Sequence, residues 1–197
     1  MLGLEVRTAP TDVDEMASLV ADPLVSALSV ATAKLRASLP AEDEVLLAAD
    51  TLVVLDGHVL GKPADAAEAR AMLAAMRERA HQVLTGVALR NGADGGEWGG
   101  VVSTRVEMRD YADSEVESYI ARGEPFDKAG GYAVQDTLFA PVRRVDGCYL
   151  NVVGLPLCAV TAGLRALQVP TLEAAAAPPC SYCRAGAALV AIGAQNT

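Results

Sequence analysis

The sequence predicts an α/β protein with a mixed β-sheet flanked by helices. Apolar runs with strand character alternate with segments in which apolar residues recur every three or four positions. Two long strand-like runs, 81–92 and 99–110, flank the turn-rich segment "NGADGGEWGG", which indicates an antiparallel hairpin. Because alternating strands and helices favour parallel pairing and the hairpin is antiparallel, the combination predicts a mixed sheet rather than a purely parallel one.

Helix caps and turn residues set the predicted bounds of the elements. Asp65 can cap the helix "ADAAEARAMLAAMRER", with Glu68 three residues on, and Ser114 with Glu117 forms the same capping pattern. The Asp-Gly pair at 56–57 ends a continuous apolar run that is typical of a central strand. The predicted elements are, in order, strand 3–10, helix 22–40, strand 44–57, helix 64–79, strands 81–92 and 99–110, helix 114–123, strands in "GGYAVQ" and "LFAPVRRVDG", and helix 154–168.

Composition changes near residue 170, where an Ala- and Pro-rich stretch begins. We therefore predict one domain over residues 1–169 and a tail over 170–197. The tail carries a lone C-x-x-C, Cys180 and Cys183. A closed zinc site needs four ligands, so a metal role for this pair is the less favoured interpretation.

Charge and hydropathy exclude some classes of function. The chain has 197 residues, a net charge of −9 and a pI of about 4.7, which argues against a nucleic-acid-binding surface. No apolar run reaches the ~18 residues of a membrane span, and the N-terminus lacks the pattern of a signal peptide. With four cysteines interpreted as reduced thiols, these features predict a cytoplasmic protein without nucleic-acid or membrane partners.

For two charged segments, the sequence supports both a functional and a purely structural interpretation. The segment "GHVLGKP" resembles a P-loop, but three residues separate Gly57 from Gly61 and Pro63 follows Lys62, so the phosphate-binding motif is not met. Asp50 interrupts a buried strand and is either a paired, protonated or metal-bound acid or a strand-end acid that caps a neighbouring loop. Lys128, next to acids, is either a solvated loop residue or a phosphate-binding lysine.

The segment "NVVGLP" at 151–156 is a second place where an anion could bind, at the N-terminus of the following helix; a plain strand-to-helix turn is the commoner case. Nucleophilic catalysis is disfavoured, because the sequence has no G-x-S-x-G and only two histidines, His58 and His81.

Five blocks follow one another along the chain: "AADTLVVLDGHVLGKP", "EARAMLAAM", "HQVLTGVAL", "EVESYIARGEPFDKAGGYAVQ" and "YLNVVGLPL". Taken in this order, they resemble the Maf family of nucleoside triphosphate pyrophosphatases. The resemblance implies an elongated, two-lobed fold like that of inosine triphosphatases and hydrolysis of a nucleoside triphosphate to the monophosphate and pyrophosphate. It also implies a divalent cation, usually Mg²⁺ with Mn²⁺ as the alternative, and a homodimer.

The resemblance carries functional roles to particular residues. Asp50 matches the catalytic acid and metal holder, and "ADT" together with Gln135 resembles the branch that acts on dTTP and UTP. The implied catalytic residues are Asp50, Lys62 and Glu15; the implied substrate-binding residues are Thr51, Lys34, Asp127, Lys128 and Gln135.

One element of the family is missing from the sequence. Family members carry a Ser-Pro-Arg-Arg loop after a first strand, and no Ser-Pro-Arg-Arg occurs in these 197 residues. A missing strand would leave a sheet edge or a gap, and two lost arginines would weaken triphosphate binding. We therefore predict weak or absent activity for this chain. The competing hypothesis is a nucleotide-binding or regulatory protein linked to septum formation or cell division.

Overall fold

A computed structural model describes residues 5–170 and the strand at 189–192. The helices are α1 (Pro23–Arg36), α2 (Ala66–Met76), α3 (Asp113–Ala121), α4 (Tyr149–Val153) and α5 (Leu157–Ala166). The strands are β1 (Val45–Leu55), β2 (His58–Leu60), β3 (Ala80–Asn91), β4 (Glu97–Met108), β5 (Val142–Asp146) and β6 (Leu189–Ile192). Short 3₁₀ turns lie at Met16–Ser18, Glu124–Asp127 and Ala129–Gly131.

The strands form one sheet in the order β2-β1-β3-β4-β5, with β6 also paired to β4. The predicted hairpin is confirmed, since β3 and β4 pair along nearly their whole length. The α/β class is confirmed as well. Every strand pair in the described part of the chain is antiparallel, however, so the sheet is not mixed as predicted. Each described strand runs opposite to its neighbours, which makes all of these pairs antiparallel.

Helix α1 covers one face of the sheet, and the other helices cover the opposite face. Side chains alternate between faces along a strand, so Leu52 and Leu84 point towards α1 and pack on Ala27 and Leu28. The opposite face has two apolar clusters. One gathers Val53, Leu73, Met76, Val83, Val106, Tyr111, Tyr119 and Phe139, and the other gathers Val87, Leu89, Trp98, Val102, Val160 and Leu164.

Capping explains where two of the helices begin. The Asp65 carboxylate accepts a hydrogen bond from Glu68 N at 2.9 Å, so Asp65 caps α2 as predicted. The Glu68 carboxylate accepts a hydrogen bond at 2.7 Å from Ala64 N, one residue before the cap. Helix α3 begins one residue before Ser114, at Asp113, and Ser114 is not its cap. There the carboxylate of Glu115 accepts from Ala112 N at 2.8 Å, which satisfies a free N–H of the first turn.

Three predicted elements differ from the structure. Residues 5–10 are irregular, because in the described part of the chain no strand pairs with them. The segment "GGYAVQ" is not a strand, since Gly130 and Gly131 both have positive φ and form a 3₁₀ turn. Residues 149–153 form a short helix that the sequence analysis did not predict, and the helix predicted at 154–168 starts at Leu157.

The region beyond residue 170 contributes at least one strand to the sheet. β6 pairs with Gly99–Val102 of β4, on the edge of β4 that also carries β5 at Arg105–Met108. The boundary predicted near residue 170 stays a prediction, and Cys180 and Cys183 lie outside the described residues. Among the helices that the structure describes, none has the length and apolar character needed to cross a bilayer.

Candidate active site

The candidate site is a cavity of about 490 Å³ that lies along a free edge of β1. β2 pairs only with Val53–Leu55, so in the described part of the chain the edge at Ala49–Leu52 has no partner strand. Both faces of β1 are therefore accessible from the cavity. Asp50 projects towards α1, and Thr51 projects to the opposite face. This geometry explains how two consecutive strand residues can both line one cavity.

An acid and lysine cluster lies on the α1 side of the cavity. Lys34 Nζ is 2.6 Å from Asp50 Oδ1 and 2.7 Å from Glu15 Oε1. Burial alone would lower the pKa of Lys34, but its hydrogen bonds to Asp50 and Glu15 raise it overall. The Lys34 side chain is therefore a cation at neutral pH. It holds Asp50, which is only 10% exposed, as a paired rather than an isolated acid.

Two loops are joined at the other end of the cavity. Gly130 N donates to Gly61 O at 2.9 Å, which ties the "GKP" loop to the "DKAGG" loop. Gly130 has a φ of 69°, and an added Cβ would lie 2.9 Å from Val53 Cγ1, so a side chain does not fit there. This junction keeps Lys62 and Lys128 on the same cavity.

The two lysines of these loops differ in how their charge is balanced. Lys128 Nζ is 2.6 Å from Asp127 Oδ1 and 2.7 Å from Glu124 O. Hydrogen bonding to Lys128 lowers the pKa of Asp127. Lys62 is exposed and forms no salt bridge with the described residues, although its charge also lowers the pKa of Asp127. An anion in the cavity could therefore pair with Lys62 directly, whereas it would compete with Asp127 for Lys128.

A buried polar network lies behind Thr51, between the two apolar clusters. Thr51 Oγ1 is 3.0 Å from Thr85 Oγ1, and Thr85 Oγ1 donates to Asn151 O at 3.1 Å. Asn151 Nδ2 donates to Val83 O at 2.9 Å and to Thr104 Oγ1 at 3.0 Å. Helix α4, which the sequence analysis missed, is thus fixed to β3 and β4 and presents Val152 and Val153 to the cavity.

His81 supports the cavity wall from inside the sheet. Its Nε2 is 2.7 Å from the hydroxyl of Tyr132, which lines the cavity, and its ring is 3% exposed. Burial lowers the pKa of His81 to about 4. Its Nδ1 has no hydrogen-bond partner among the described residues. The ring is therefore neutral in the folded protein near neutral pH.

The low pKa of His81 predicts a loss of stability in mild acid. The unfolded chain binds a proton on His81 below about pH 6.5, whereas the folded chain does so only near pH 4. Stability therefore falls as the pH falls through that window, by about 2 kcal/mol at pH 5. Urea unfolding at pH 7.5 and pH 5 should show the wild type losing about that much more than His81→Gln. Equal losses in the two proteins would contradict this assignment.

All eight residues to which the resemblance assigned roles line the same cavity: Glu15, Lys34, Asp50, Thr51, Lys62, Asp127, Lys128 and Gln135. Their roles in binding and catalysis stay predictions. Thr85 and Asn151, which hold the site, were not predicted from the sequence. Their polar side chains within buried, apolar segments were the available signal, because a fully buried polar group needs partners.

The donor set fits a small divalent cation. Asp50 and Glu15 both contact Lys34 Nζ, so their oxygens lie close together at the cavity. In the part of the chain that the structure describes, no cluster of three or more acids, histidines or cysteines could enclose a metal. Mg²⁺ is commonly held by one or two carboxylates together with substrate phosphates and water, so two acids are sufficient.

The fold and the cavity together define a class of protein. An α/β chain that collects acids and lysines from separate loops around one cavity is suited to bind a polyphosphate and a metal ion. Comparison with family models identifies the family: the model described as Maf-like protein matches residues 1–167. The chain belongs to this family.

Relatives named dTTP/UTP pyrophosphatase align with more than half of the chain. A dTTP/UTP pyrophosphatase of Anaeromyxobacter dehalogenans (strain 2CP-C) is 46% identical over 171 residues, 86% of this chain and 87% of the relative. A dTTP/UTP pyrophosphatase of Geobacter sp. (strain M21) is 39% identical over 166 residues, 84% of this chain and 86% of the relative. A third, from Thermomicrobium roseum, is 54% identical over 112 residues, 57% of this chain and 50% of the relative.

Proposed function

We propose that the protein hydrolyses dTTP and UTP to the nucleoside monophosphate and pyrophosphate. The observation that carries this proposal is the convergence of Asp50, Lys34, Lys62 and Lys128, from four separate segments, on one cavity. The relatives named dTTP/UTP pyrophosphatase support the choice of substrate. The cavity, at about 490 Å³, is within the usual range for small-molecule sites.

In the proposed reaction, water attacks the α-phosphorus of the nucleotide. The new bond forms between the water oxygen and the α-phosphorus, and the bond from that phosphorus to the bridging oxygen of pyrophosphate breaks. Asp50 orients the water and accepts its proton, while Lys34 keeps the carboxylate in place. Lys62 and Lys128 neutralise charge on the phosphates, including the charge on the departing pyrophosphate. A bound divalent cation would supply further neutralisation at the phosphate oxygens.

Isotope labelling tests which phosphorus atom the water attacks. In ¹⁸O-labelled water with MgCl₂, the label should appear in dTMP or UMP, and equal amounts of monophosphate and pyrophosphate should form. Release of orthophosphate, or label in pyrophosphate, would contradict attack at the α-phosphorus. Calorimetric binding of nucleotide without hydrolysis would instead support the nucleotide-binding regulatory protein.

Removal of the metal should abolish turnover. We expect an excess of EDTA to stop pyrophosphate release and MgCl₂ to restore it, because two acids and substrate phosphates would complete the cation's coordination. MnCl₂ is the comparison, and CaCl₂ should support less activity, since Ca²⁺ prefers more ligands at longer distances. Undiminished turnover in EDTA would contradict a metal requirement.

We also propose that the protein is cytoplasmic and forms a homodimer. Apolar side chains at 149–155 are partly exposed beside the cavity, and such clusters are typical of protein interfaces. They are Tyr149, Leu150, Val153 and Leu155. Analytical ultracentrifugation would establish the oligomeric state.

A further inference from the structure

We propose that Lys34 is the internal counter-ion of Asp50 and Glu15 and keeps the nucleotide-free protein from binding a divalent cation tightly. The cation then binds together with the nucleotide rather than before it. The proposal rests on the proposed function for the identity of the nucleotide, and it adds the order in which the two ligands enter the cavity. In this role, Lys34 acts on the metal affinity of the two acids and not on the reacting atoms.

The Lys34 ammonium joins two acids that come from separate segments. Lys34 lies on α1, Asp50 lies on β1, and Glu15 directly precedes a short 3₁₀ turn. Lys34 Nζ is 2.6 Å from Asp50 Oδ1 and 2.7 Å from Glu15 Oε1, and in the described part of the chain it has no other ion-pair partner. The ammonium thus lies between two carboxylates, where a positive charge is attracted most strongly.

The charge of Lys34 opposes the binding of a second cation at these acids. The two carboxylates together carry a charge of −2, and the ammonium reduces the sum to −1. A divalent cation is therefore attracted less, and Lys34 also repels it directly. Solvent screens this repulsion only in part, because the side chains of Lys34 and Asp50 are 23% and 10% exposed. An uncharged residue in place of Lys34 should therefore raise the affinity of the acids for a divalent cation.

A bound nucleotide changes this balance of charge. One oxygen of each acid contacts Lys34, and the second oxygens, Asp50 Oδ2 and Glu15 Oε2, accept no hydrogen bond from the described residues. Mg²⁺ is commonly held by one or two carboxylates together with substrate phosphates, so these two oxygens would supply the share of the protein. The triphosphate also adds negative charge that outweighs the single charge of Lys34. Nucleotide and cation therefore strengthen each other's binding by the same factor.

Metal binding in the absence of nucleotide tests the role of Lys34. A titration with Mn²⁺, followed by the electron paramagnetic resonance of the free ion, should show that Lys34→Gln binds Mn²⁺ about tenfold more tightly than the wild type. Glutamine can still donate a hydrogen bond to Asp50 but carries no charge. Lys34→Arg keeps the charge and should bind Mn²⁺ as weakly as the wild type.

Lys62→Gln is the matched control for this titration. Lys62 lines the same cavity and forms no salt bridge with the described residues, so its replacement removes a charge without releasing an acid. Because Lys62 is exposed and solvent screens its charge, the affinity for Mn²⁺ should change by less than about twofold. An equal gain in Lys34→Gln and Lys62→Gln would mean that the total charge of the cavity sets the affinity, and it overturns the inference.

The remaining outcomes separate this inference from the proposed function. Equal Mn²⁺ affinity in the wild type and Lys34→Gln overturns the counter-ion and leaves the pyrophosphatase activity intact. A protein that hydrolyses neither dTTP nor UTP, but binds Mn²⁺ more tightly as Lys34→Gln, loses the proposed function and keeps the counter-ion. If Lys34→Gln does not fold, the wild type decides, because a bound ligand raises the melting temperature. MnCl₂ should raise it much more with the uncleavable α,β-imido analogue of UTP than without it, and an equal rise overturns the inference.

Discussion

Asp50→Asn should lower turnover of dTTP and UTP by about 10²- to 10⁴-fold, the usual contribution of a general base. Asparagine has the same shape but can neither accept a proton from water nor bind a cation with a negative charge. The Lys34 ammonium would keep Glu15 as its partner, at 2.7 Å. The melting temperature should therefore stay nearly unchanged, and nucleotide binding should weaken much less than turnover.

A matched control is available on the same hairpin. Asp56 lies six positions further along the chain, is 62% exposed, pairs with Arg79 and does not line the cavity. Its φ of 51° is tolerated by asparagine, so Asp56→Asn should fold normally and keep full activity. If Asp50→Asn retained near-normal turnover under conditions where Asp56→Asn did, Asp50 would not be the catalytic acid.

The sequence indicated which residues line the candidate cavity, but it did not indicate the contacts that position them there. Asp50 was recognisable because a carboxylate inside an apolar strand is costly without a partner. The partner, Lys34, lies sixteen residues away on α1, and only the packing of α1 against the sheet brings the two groups together. Thr85 and Asn151, 66 residues apart, gave no local signal of their contact.

Local sequence patterns gave wrong predictions where glycine or long-range contacts determine the backbone. The run "GGYAVQ" has strand-forming residues, but Gly130 has a positive φ and packs against Val53, so the chain turns instead. Helix α4 has five residues, too short for a periodic pattern, and Asn151 holds it through bonds to two distant strands. Such contacts depend on the assembled sheet and cannot be found from spacing along the chain.

Gly86→Ala should destabilise the protein and disturb the site together. Gly86 pairs with Asp50 across β1 and β3, directly beneath α1. A Cβ at this position would lie 2.2 Å from Ala27 O and 2.4 Å from Ala27 C, which are backbone atoms that cannot rotate away. Helix α1 would have to move off the sheet, which we expect to cost about 3 kcal/mol. Thermal unfolding should then shift down by about 6–12 °C.

The displacement of α1 should also impair catalysis, because α1 positions Lys34 beside Asp50. We therefore expect Gly86→Ala to lower kcat at temperatures where the variant is still fully folded by circular dichroism. Gly61→Ala is the stability control: an added Cβ there meets no atom within 4 Å, and its melting temperature should match the wild type. A Gly86→Ala protein that melts with the wild type would show that α1 does not need this close approach. The position of Lys34 would then need another cause.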